Sequence, residues 1–268
     1  MTRTAAPLPR TRSWSALRCR LAWRTEDVDH FLVHRVRPLL DGLRMAGLIA
    51  DWYYQRSDDG LLLGVRGADW CTVKALRADL ARLIAQSRRP GRAAYADIGE
   101  TRHAVDPDRF GPAPDPAEDV FCRGAELALT SLAVPGARLT AATELIMATA
   151  HALRLDRRAT AAWLGGSSSP GGPPLDVRWT RIARTRDHAL IRWTNAVRRA
   201  RRAAEGQSDT APTGDWLAVW REQLDLLLNR LGLTPAETRA VCSRTASALS
   251  VRDPFATDPL YLDLATAV

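Results

Sequence analysis

The first hundred residues alternate between strand-like and helix-like spacing of their apolar positions. From Ser13 to Trp23 apolar side chains occupy every second position, as in a strand with one buried face. Apolar residues then recur at helical spacing as far as Gly47, which predicts the end of a helix. A strand over 48–56, a turn at 57–60 and a return strand over 61–66 predict a β-hairpin.

The order of the predicted elements indicates the fold class. A helix over 69–86 and a strand over 92–98 complete the order strand, helix, strand, strand, helix, strand. This is the split βαβ, or ferredoxin-like, arrangement of an antiparallel sheet with helices. Helical spacing dominates the rest of the chain, and Thr234-Pro235-Ala236-Glu237 forms a capping box. The other predicted helices lie over 115–132, 140–153, 156–164, 178–205 and 215–231. The predicted fold class is therefore α+β, with a ferredoxin-like half followed by a mainly helical half.

The positions of segments rich in glycine and proline indicate the domain organisation. Loops are predicted near 165–175 and 206–214. Residues 1–12 contain arginines and prolines without the apolar stretch of a secretory signal, and we expect a flexible lead-in. We expect residues 13–268 to form a single α+β domain, with sheet-rich and mainly helical halves over 13–100 and 115–268.

Composition adds a strong positive charge. The net charge is +8 and Lys74 is the single lysine, so the cations are arginines. A biased coding sequence accounts for this excess, and so does an anionic partner such as an acidic peptide or a nucleic acid. The absence of a run of about 18 apolar residues predicts no membrane span, and we expect a cytoplasmic protein.

Metal-binding patterns are absent from the sequence. The four cysteines are scattered without a CxxC pair, which favours free buried thiols over a zinc site. His30 and His34 are four residues apart on a predicted helix, but no third ligand is evident. We therefore expect no metal.

Three separated segments follow one pattern in order. The first is Trp52-Tyr53-Tyr54-Gln55-Arg56 with the return strand 60–66. The second runs from Asp108-Arg109-Phe110-Gly111-Pro112 to Ala117-Glu118-Asp119-Val120-Phe121, and the third is 227–233, which contains Asn229-Arg230. Together they resemble the small thiopeptide-type bacteriocin biosynthesis domain. That domain occurs as the glutamate-elimination half of lantibiotic dehydratases and as the pyridine synthase that closes thiopeptide macrocycles.

Departures from the family pattern favour one of these two activities. The family's return strand reads His-Leu-Arg-Leu-Arg; here Leu62 replaces the histidine and Gly64 the first arginine, and Arg66 remains. Elimination domains carry a histidine just before Asn-Arg, and residues 223–228 contain none. Elimination needs a base near neutral pH and cations for a glutamyl carboxylate. The resemblance therefore implies a pyridine synthase.

The implied substrate is a ribosomally made precursor peptide with a leader, azoles and two dehydroalanines. A formal [4+2] aza-cycloaddition joins the two dehydroalanines, and loss of water and of the leader forms the pyridine and closes the macrocycle. Proximity and proton transfers supply the catalysis, and the scheme needs neither a metal nor an organic cofactor.

Candidate site residues come from the matched segments and from nearby aromatic and basic positions. The catalytic candidates are Tyr53, Tyr54, Arg56, Arg66, Ser243 and Tyr261. The substrate-binding candidates are Trp52, Trp193, Arg198, Arg199, Arg202 and Asn229. Strand alternation lets one of the two tyrosines face a pocket, and we expect Arg56 and Arg66 to lie near each other across the hairpin. Each candidate also has a structural explanation, as a strand-surface, core or helix-end residue.

Two other functions are compatible with the sequence. One is a glutamate-elimination lyase of a split dehydratase, which requires the base and the carboxylate clamp that the departures remove. The other is a nucleic-acid-binding protein that uses the arginine-rich helix 178–205, with Trp179 and Trp193 interleaved. Nucleic-acid binding leaves the three ordered segments unexplained.

Overall fold

The structure is a computed structural model of the chain and describes residues 14–87, 98–101, 114–134, 136, 138–165, 188–205 and 214–250. Its contacts group into two compact units, Met1–Asp106 and Pro107–Val268. The boundary lies between the sheet-rich and helical halves that the sequence separates, and the single-domain organisation stays a prediction. The lead-in and most of the two predicted loops lie outside the described residues.

An antiparallel sheet forms the framework of the first unit. Its strand order is β2-β3-β1-β4, and each neighbouring pair is antiparallel. The strands are β1 (Trp14–Arg20), β2 (Asp51–Ser57), β3 (Gly60–Arg66) and β4 (Ile98–Thr101). This is the ferredoxin-like order, so the predicted fold class is confirmed. The fourth strand begins at the end of its predicted span, whose other residues lie outside the described part.

The first predicted helix consists of three consecutive helical pieces: α1 (Thr25–Phe31), a π-helical stretch (Leu32–Val36) and α2 (Arg37–Met45). Pro38 has no N–H to donate to the preceding turn, which accounts for the wider turn before α2. Gly47, with φ of 71°, follows the helix as the sequence predicts. After the hairpin, α3 (Trp70–Gln86) begins where the Asp69 side chain accepts a hydrogen bond from the Thr72 backbone at 2.7 Å.

One face of the sheet is covered by helices. Leu17, Cys19, Leu61, Leu63 and Tyr54 point to this face, and all five are fully buried. The helices contribute apolar side chains at helical spacing, which are Phe31, Leu32, Val36, Leu40, Leu76, Leu80 and Ile84. Burial of these side chains, each worth roughly 1.5–3 kcal/mol, holds the layers together.

The second unit is built from helices. They are α4 (Pro114–Leu132), α5 (Arg138–Ala152), α6 (Arg157–Trp163), α7 (His188–Glu205), α8 (Gly214–Arg230) and α9 (Pro235–Ser250). Helix α7 packs against α4 and α5, and α9 packs against α5, α6 and α8. The predicted basic helix is described from His188 onward. Within the described residues, no helix is both long and apolar enough to cross a membrane.

The capping box predicted before α9 is confirmed. The Thr234 backbone and hydroxyl donate to the Glu237 carboxylate at 2.8 and 2.9 Å, and the Glu237 backbone donates to the Thr234 hydroxyl at 3.2 Å. These hydrogen bonds lower the pKa of Glu237. They also satisfy backbone donors that the first turn of a helix leaves without partners.

All four cysteines are free thiols. Burial raises the pKa of Cys19 to about 12 and that of Cys242 to about 11, and Cys122 is also buried. Cys71 is exposed in the first turn of α3, so the expectation of buried thiols is wrong at this position.

Candidate functional site

The hairpin distributes the first family segment over both faces of the sheet. Tyr54 pairs with Leu63 and Arg56 with Leu61, whereas Tyr53 pairs with Gly64 and Asp51 with Arg66. Directly opposed residues share a face, and successive residues alternate between faces. Tyr54 and Arg56 therefore lie on the helix-covered face, and Tyr53 and Arg66 lie on the opposite face.

The prediction that Arg56 and Arg66 lie near each other is wrong. The turn pairs Ser57 with Gly60, which fixes Arg56 one residue from the turn and Arg66 at the far end of β3. Arg66 is five positions along the ladder from Leu61, the partner of Arg56, which is about 17 Å of strand. The two guanidinium groups also lie on opposite faces, so they cannot form one carboxylate clamp.

Residues on the helix-covered face have structural partners. Arg56 forms an ion pair with Asp29 of α1, and both side chains are close to nine-tenths buried. Trp52 is buried, and its indole Nε1 donates to the Asp41 Oδ1 of α2 at 3.3 Å. These contacts tie β2 to the helices, as does the packing of the fully buried Tyr54. All three candidates have a structural explanation here.

The opposite face carries an aromatic pair with a cation above it. The rings of Trp14 and Tyr53 meet edge-to-face, with centroids 5.2 Å apart. The Arg66 guanidinium carbon lies 5.8 Å from the Trp14 ring centroid, within cation–π distance. Tyr53 is buried, whereas Trp14 and Arg66 are half-buried. We call these three residues the Trp14–Tyr53–Arg66 cluster.

Gly64 makes room for this cluster. A Cβ atom at residue 64 would lie 2.1 Å from Cε1 of Tyr53 and 2.4 Å from its Cζ. The Tyr53 ring is buried beside Trp14, so it has little room to move away. Any side chain larger than that of glycine at residue 64 would displace the Tyr53 ring. This packing explains why the arginine that the family has at this position is missing here.

The second and third family segments meet inside the helical unit. The buried Arg230 of α8 places its guanidinium carbon 4.8 Å from the ring centroid of Phe121 in α4. Gly124 leaves space for this contact, since a Cβ there would lie 2.8 Å from Arg230 Nη1 and 3.0 Å from Trp193. The Trp193 indole donates to the Thr149 hydroxyl at 3.2 Å. The substrate-binding candidate Trp193 is therefore part of a buried core.

The remaining candidates of the helical unit are dispersed. Asn229 is half-buried, and its carbonyl accepts from the Gly232 backbone at 2.8 Å as α8 ends. Ser243 is half-buried on α9. Tyr261 lies outside the described residues, as does the stretch from Asp108 to Pro112.

The arginines of α7 are partly engaged by carboxylates of α4. Arg199 forms an ion pair with Asp119, and Arg192 forms one with Glu126. Arg123 lies between these carboxylates and contacts each of them at 3.1 Å. Further along α7, Arg198 Nη2 lies 3.1 Å from His151 Nε2, and Arg202 is exposed at the end of the helix. The carboxylates of α4 therefore engage α7 at Arg192 and Arg199, and Glu205 pairs with Arg201 near the end of the helix.

Sequence reasoning did not identify Trp14 or Asp29. The alternation in β1 was visible, but the sequence did not show that Trp14 lies opposite Arg66. In the part of the chain that the structure describes, no three His, Cys, Asp or Glu side chains form a group that could hold a metal.

Sequence comparison identifies one family. The sequence profile of the family described as lantibiotic biosynthesis dehydratase C-term matches residues 14–249. That span contains all three matched segments. No protein in a search of curated sequences matches the chain significantly.

Solved structures share the fold at low sequence identity. The tRNA dependent lantibiotic dehydratase MibB from Microbispora sp. 107891 is 21% identical over 91% of this chain, with a TM-score of 0.64. TsrL is 17% identical over 93%, with a TM-score of 0.61. The pyridine synthase TbtD from thiomuracin biosynthesis is 19% identical over 88%, with a TM-score of 0.54. The chain spans 28% of MibB but 97% of TsrL and of TbtD.

Proposed function

The chain belongs to the lantibiotic biosynthesis dehydratase C-terminal family, and we propose that it is an enzyme that acts as a thiopeptide pyridine synthase. The observation that carries the proposal is the packing of Tyr53 against Gly64. It leaves no space for the first arginine of the family's carboxylate-binding strand. The same packing supports Trp14 beside Arg66, an arrangement suited to flat azole rings.

Glutamate elimination fits the residues less well. The five histidines are His30, His34, His103, His151 and His188, and none lies in the hairpin or in α8, where elimination domains carry theirs. Arg56 pairs with Asp29 on the other face of the sheet from Arg66. A glutamyl carboxylate would thus lack both the base and the set of cations that elimination requires.

The proposed substrate is a precursor peptide with a leader, azoles and two dehydroalanines. The amide next to one dehydroalanine, as its imidic tautomer, supplies a 2-azadiene, and the other dehydroalanine is the dienophile. Their cycloaddition closes the ring. Water then leaves with the imidic oxygen, and the leader leaves as an amide, which gives the aromatic pyridine.

The cluster supplies distinct contributions to this reaction. We assign the half-buried Arg66 guanidinium to polarising the imidic oxygen and stabilising the charge that develops on it. Trp14 offers a wall against which azole rings stack. Tyr53 is buried and acts as a positioning residue that holds Trp14. Ser243 and Tyr261 remain candidates for proton transfer.

Replacement of Arg66 tests the proposal. Arg66→Ala should lower the rate of macrocycle formation about 100-fold, because it removes the charge that the proposal assigns to the developing oxyanion. Arg66→Lys should recover part of the rate. The readout is single-turnover product formation on a leader-bearing peptide that contains azoles and two dehydroalanines.

Arg18→Ala is the matched control for this experiment. Arg18 lies on the same face of the sheet and is exposed, with an ion-pair distance of 3.9 Å to Asp59. Its removal should leave the rate unchanged. Equal rates for the Arg18 and Arg66 variants would contradict the role of Arg66. Loss of glutamate from a glutamylated peptide, without action on dehydroalanines, would instead identify an elimination lyase.

A further inference from the structure

The C-terminal ends of α5 and α7 lie side by side, because Nη2 of Arg198 in α7 is 3.1 Å from Nε2 of His151 in α5, and three arginines follow these two residues in the chain. Arg154 follows α5, Arg202 lies in the last turn of α7, and Arg201 immediately precedes it. Burial lowers the pKa of Arg201, and repulsion by the guanidinium groups of Arg154 and Arg202 lowers it further. Glu205 accepts a hydrogen bond from Arg201 Nη1 at 3.0 Å and opposes this shift. We call Arg154, Arg201 and Arg202 the helix-end arginine cluster.

Arg201 is unusual because it is buried and incompletely hydrogen-bonded. Its side chain is 7% exposed, and its Nε is buried without a hydrogen-bond partner among the described residues. A buried polar group without a hydrogen-bond partner destabilises the folded state, and more so when it is charged. The cluster therefore holds more positive charge and more donors than Glu205 satisfies.

Arg154 occupies a backbone conformation that normally selects glycine. Its φ is 60°, and no other non-glycine residue in the described part of the chain has a positive φ. Its backbone donates to the His151 carbonyl, and Leu155 donates to the Ala150 carbonyl, both at 3.0 Å, which is the Schellman end of α5.

Three other helices end with glycine in this conformation. Gly47 follows α2, Gly165 follows α6 and Gly232 follows α8, with φ of 71°, 83° and 79°. An arginine in their place strains the backbone, and such strain is commonest where a side chain has a function.

We propose that the helix-end arginine cluster binds an acidic segment of the peptide substrate through its carboxylates. Guanidinium groups bind carboxylates in a two-pronged geometry, and Arg154 and Arg202 are exposed for that contact. The negative ends of two helix dipoles also favour cations here. That effect explains neither the strained backbone of Arg154 nor the burial of Arg201. The identity of the ligand as a substrate peptide rests on the proposed function.

The rest of α7 favours a peptide over a nucleic acid. Arg192 and Arg199 are paired with Glu126 and Asp119, so the surplus charge is confined to the last turns of the helix. Trp193 is buried and offers no surface for base stacking. Non-specific nucleic-acid binding uses extended rows of cations, whereas a compact cluster suits a short acidic segment.

The test uses the full chain and a fluorescein-labelled peptide that contains six glutamates but neither azoles nor dehydroalanines. Fluorescence anisotropy at low salt should show binding, and Arg154→Gly should weaken it about tenfold, the loss expected for one charge-assisted hydrogen bond. The same substitution should raise the midpoint of thermal unfolding, because glycine relieves the positive φ. A purely structural arginine would show the gain in stability without the loss of binding.

Control variants and probes give the remaining outcomes. Arg239→Ala removes an exposed arginine from α9 and should leave the affinity unchanged, whereas Arg202→Ala should weaken it. Equal affinities of the wild type and the Arg154 and Arg202 variants would overturn the proposal. Tighter binding of a single-stranded RNA of equal charge, lost in Arg154→Gly, would overturn it in favour of a nucleic acid. Because the probe cannot react, binding is measured independently of pyridine synthesis.

Discussion

At the scale of single residues, Gly64 and Tyr53 connect the sequence to the proposed chemistry. The sequence shows that Gly64 stands where the family has an arginine. It does not show that the Tyr53 ring fills the space above residue 64, because that depends on the hairpin register and on Trp14 from another strand. The loss of the arginine and the presence of the aromatic pair are therefore two aspects of one packing arrangement.

Gly64→Ala tests this packing. A Cβ atom 2.1 Å from the Tyr53 ring must displace a buried aromatic side chain, and we expect a loss of about 1–3 kcal/mol in the free energy of unfolding. The measurement is urea denaturation.

Gly42→Ala is the matched control. Gly42 lies within α2 with no atom in the way of an added Cβ, so alanine should stabilise the protein by about 0.5–1 kcal/mol. If Gly64→Ala left the protein at least as stable as the wild type, the account of the missing arginine would fail.

At the scale of elements, the period of the apolar positions was the reliable signal. It predicted the hairpin strands and α3 to within a few residues, since apolar and polar positions recur regularly within these elements and turn or capping residues mark their ends. It did not predict the π-helical stretch, which the missing N–H of Pro38 in the following helix explains. The expectation that Arg56 and Arg66 lie near each other was wrong, because the turn fixes a register that pairs Arg56 with Leu61 and Arg66 with Asp51.

The capping box before α9 is an element-scale feature with a pH dependence. Thr234→Ala should lower the free energy of unfolding by about 1 kcal/mol at neutral pH, because the backbone N–H of Glu237 loses the hydroxyl that accepts its hydrogen bond.

Glu237→Gln should show how much the ionised carboxylate of the capping box stabilises the fold. The pKa of Glu237 is lowered from its ordinary 4.5 in the folded state, so the carboxylate stabilises the fold above that pH and the stabilisation is lost as the pH falls through the folded pKa. The wild type should therefore be more stable than Glu237→Gln at pH 7, and the difference should shrink below pH 4.5. A difference that is constant from pH 7 to pH 3 would contradict this assignment.

At the scale of the whole molecule, the sequence indicated the α+β class and the family, which the sheet order and the family profile confirm. The basic helix was less predictable. Its Arg192 and Arg199 pair with carboxylates of α4 that lie 66 and 80 positions away in the chain. Partners this far apart in the chain cannot be predicted from local residue spacing. We therefore restrict the proposed peptide-binding surface to the residues near the end of α7.

The most direct test of the proposed function is intact mass spectrometry after mixing the protein with one peptide. The peptide carries its leader, azoles and two dehydroalanines. The proposal predicts loss of one water together with release of an intact leader amide, which leaves a macrocycle that contains a pyridine. An unchanged peptide mass, under conditions in which the protein is folded and binds the leader, would contradict it.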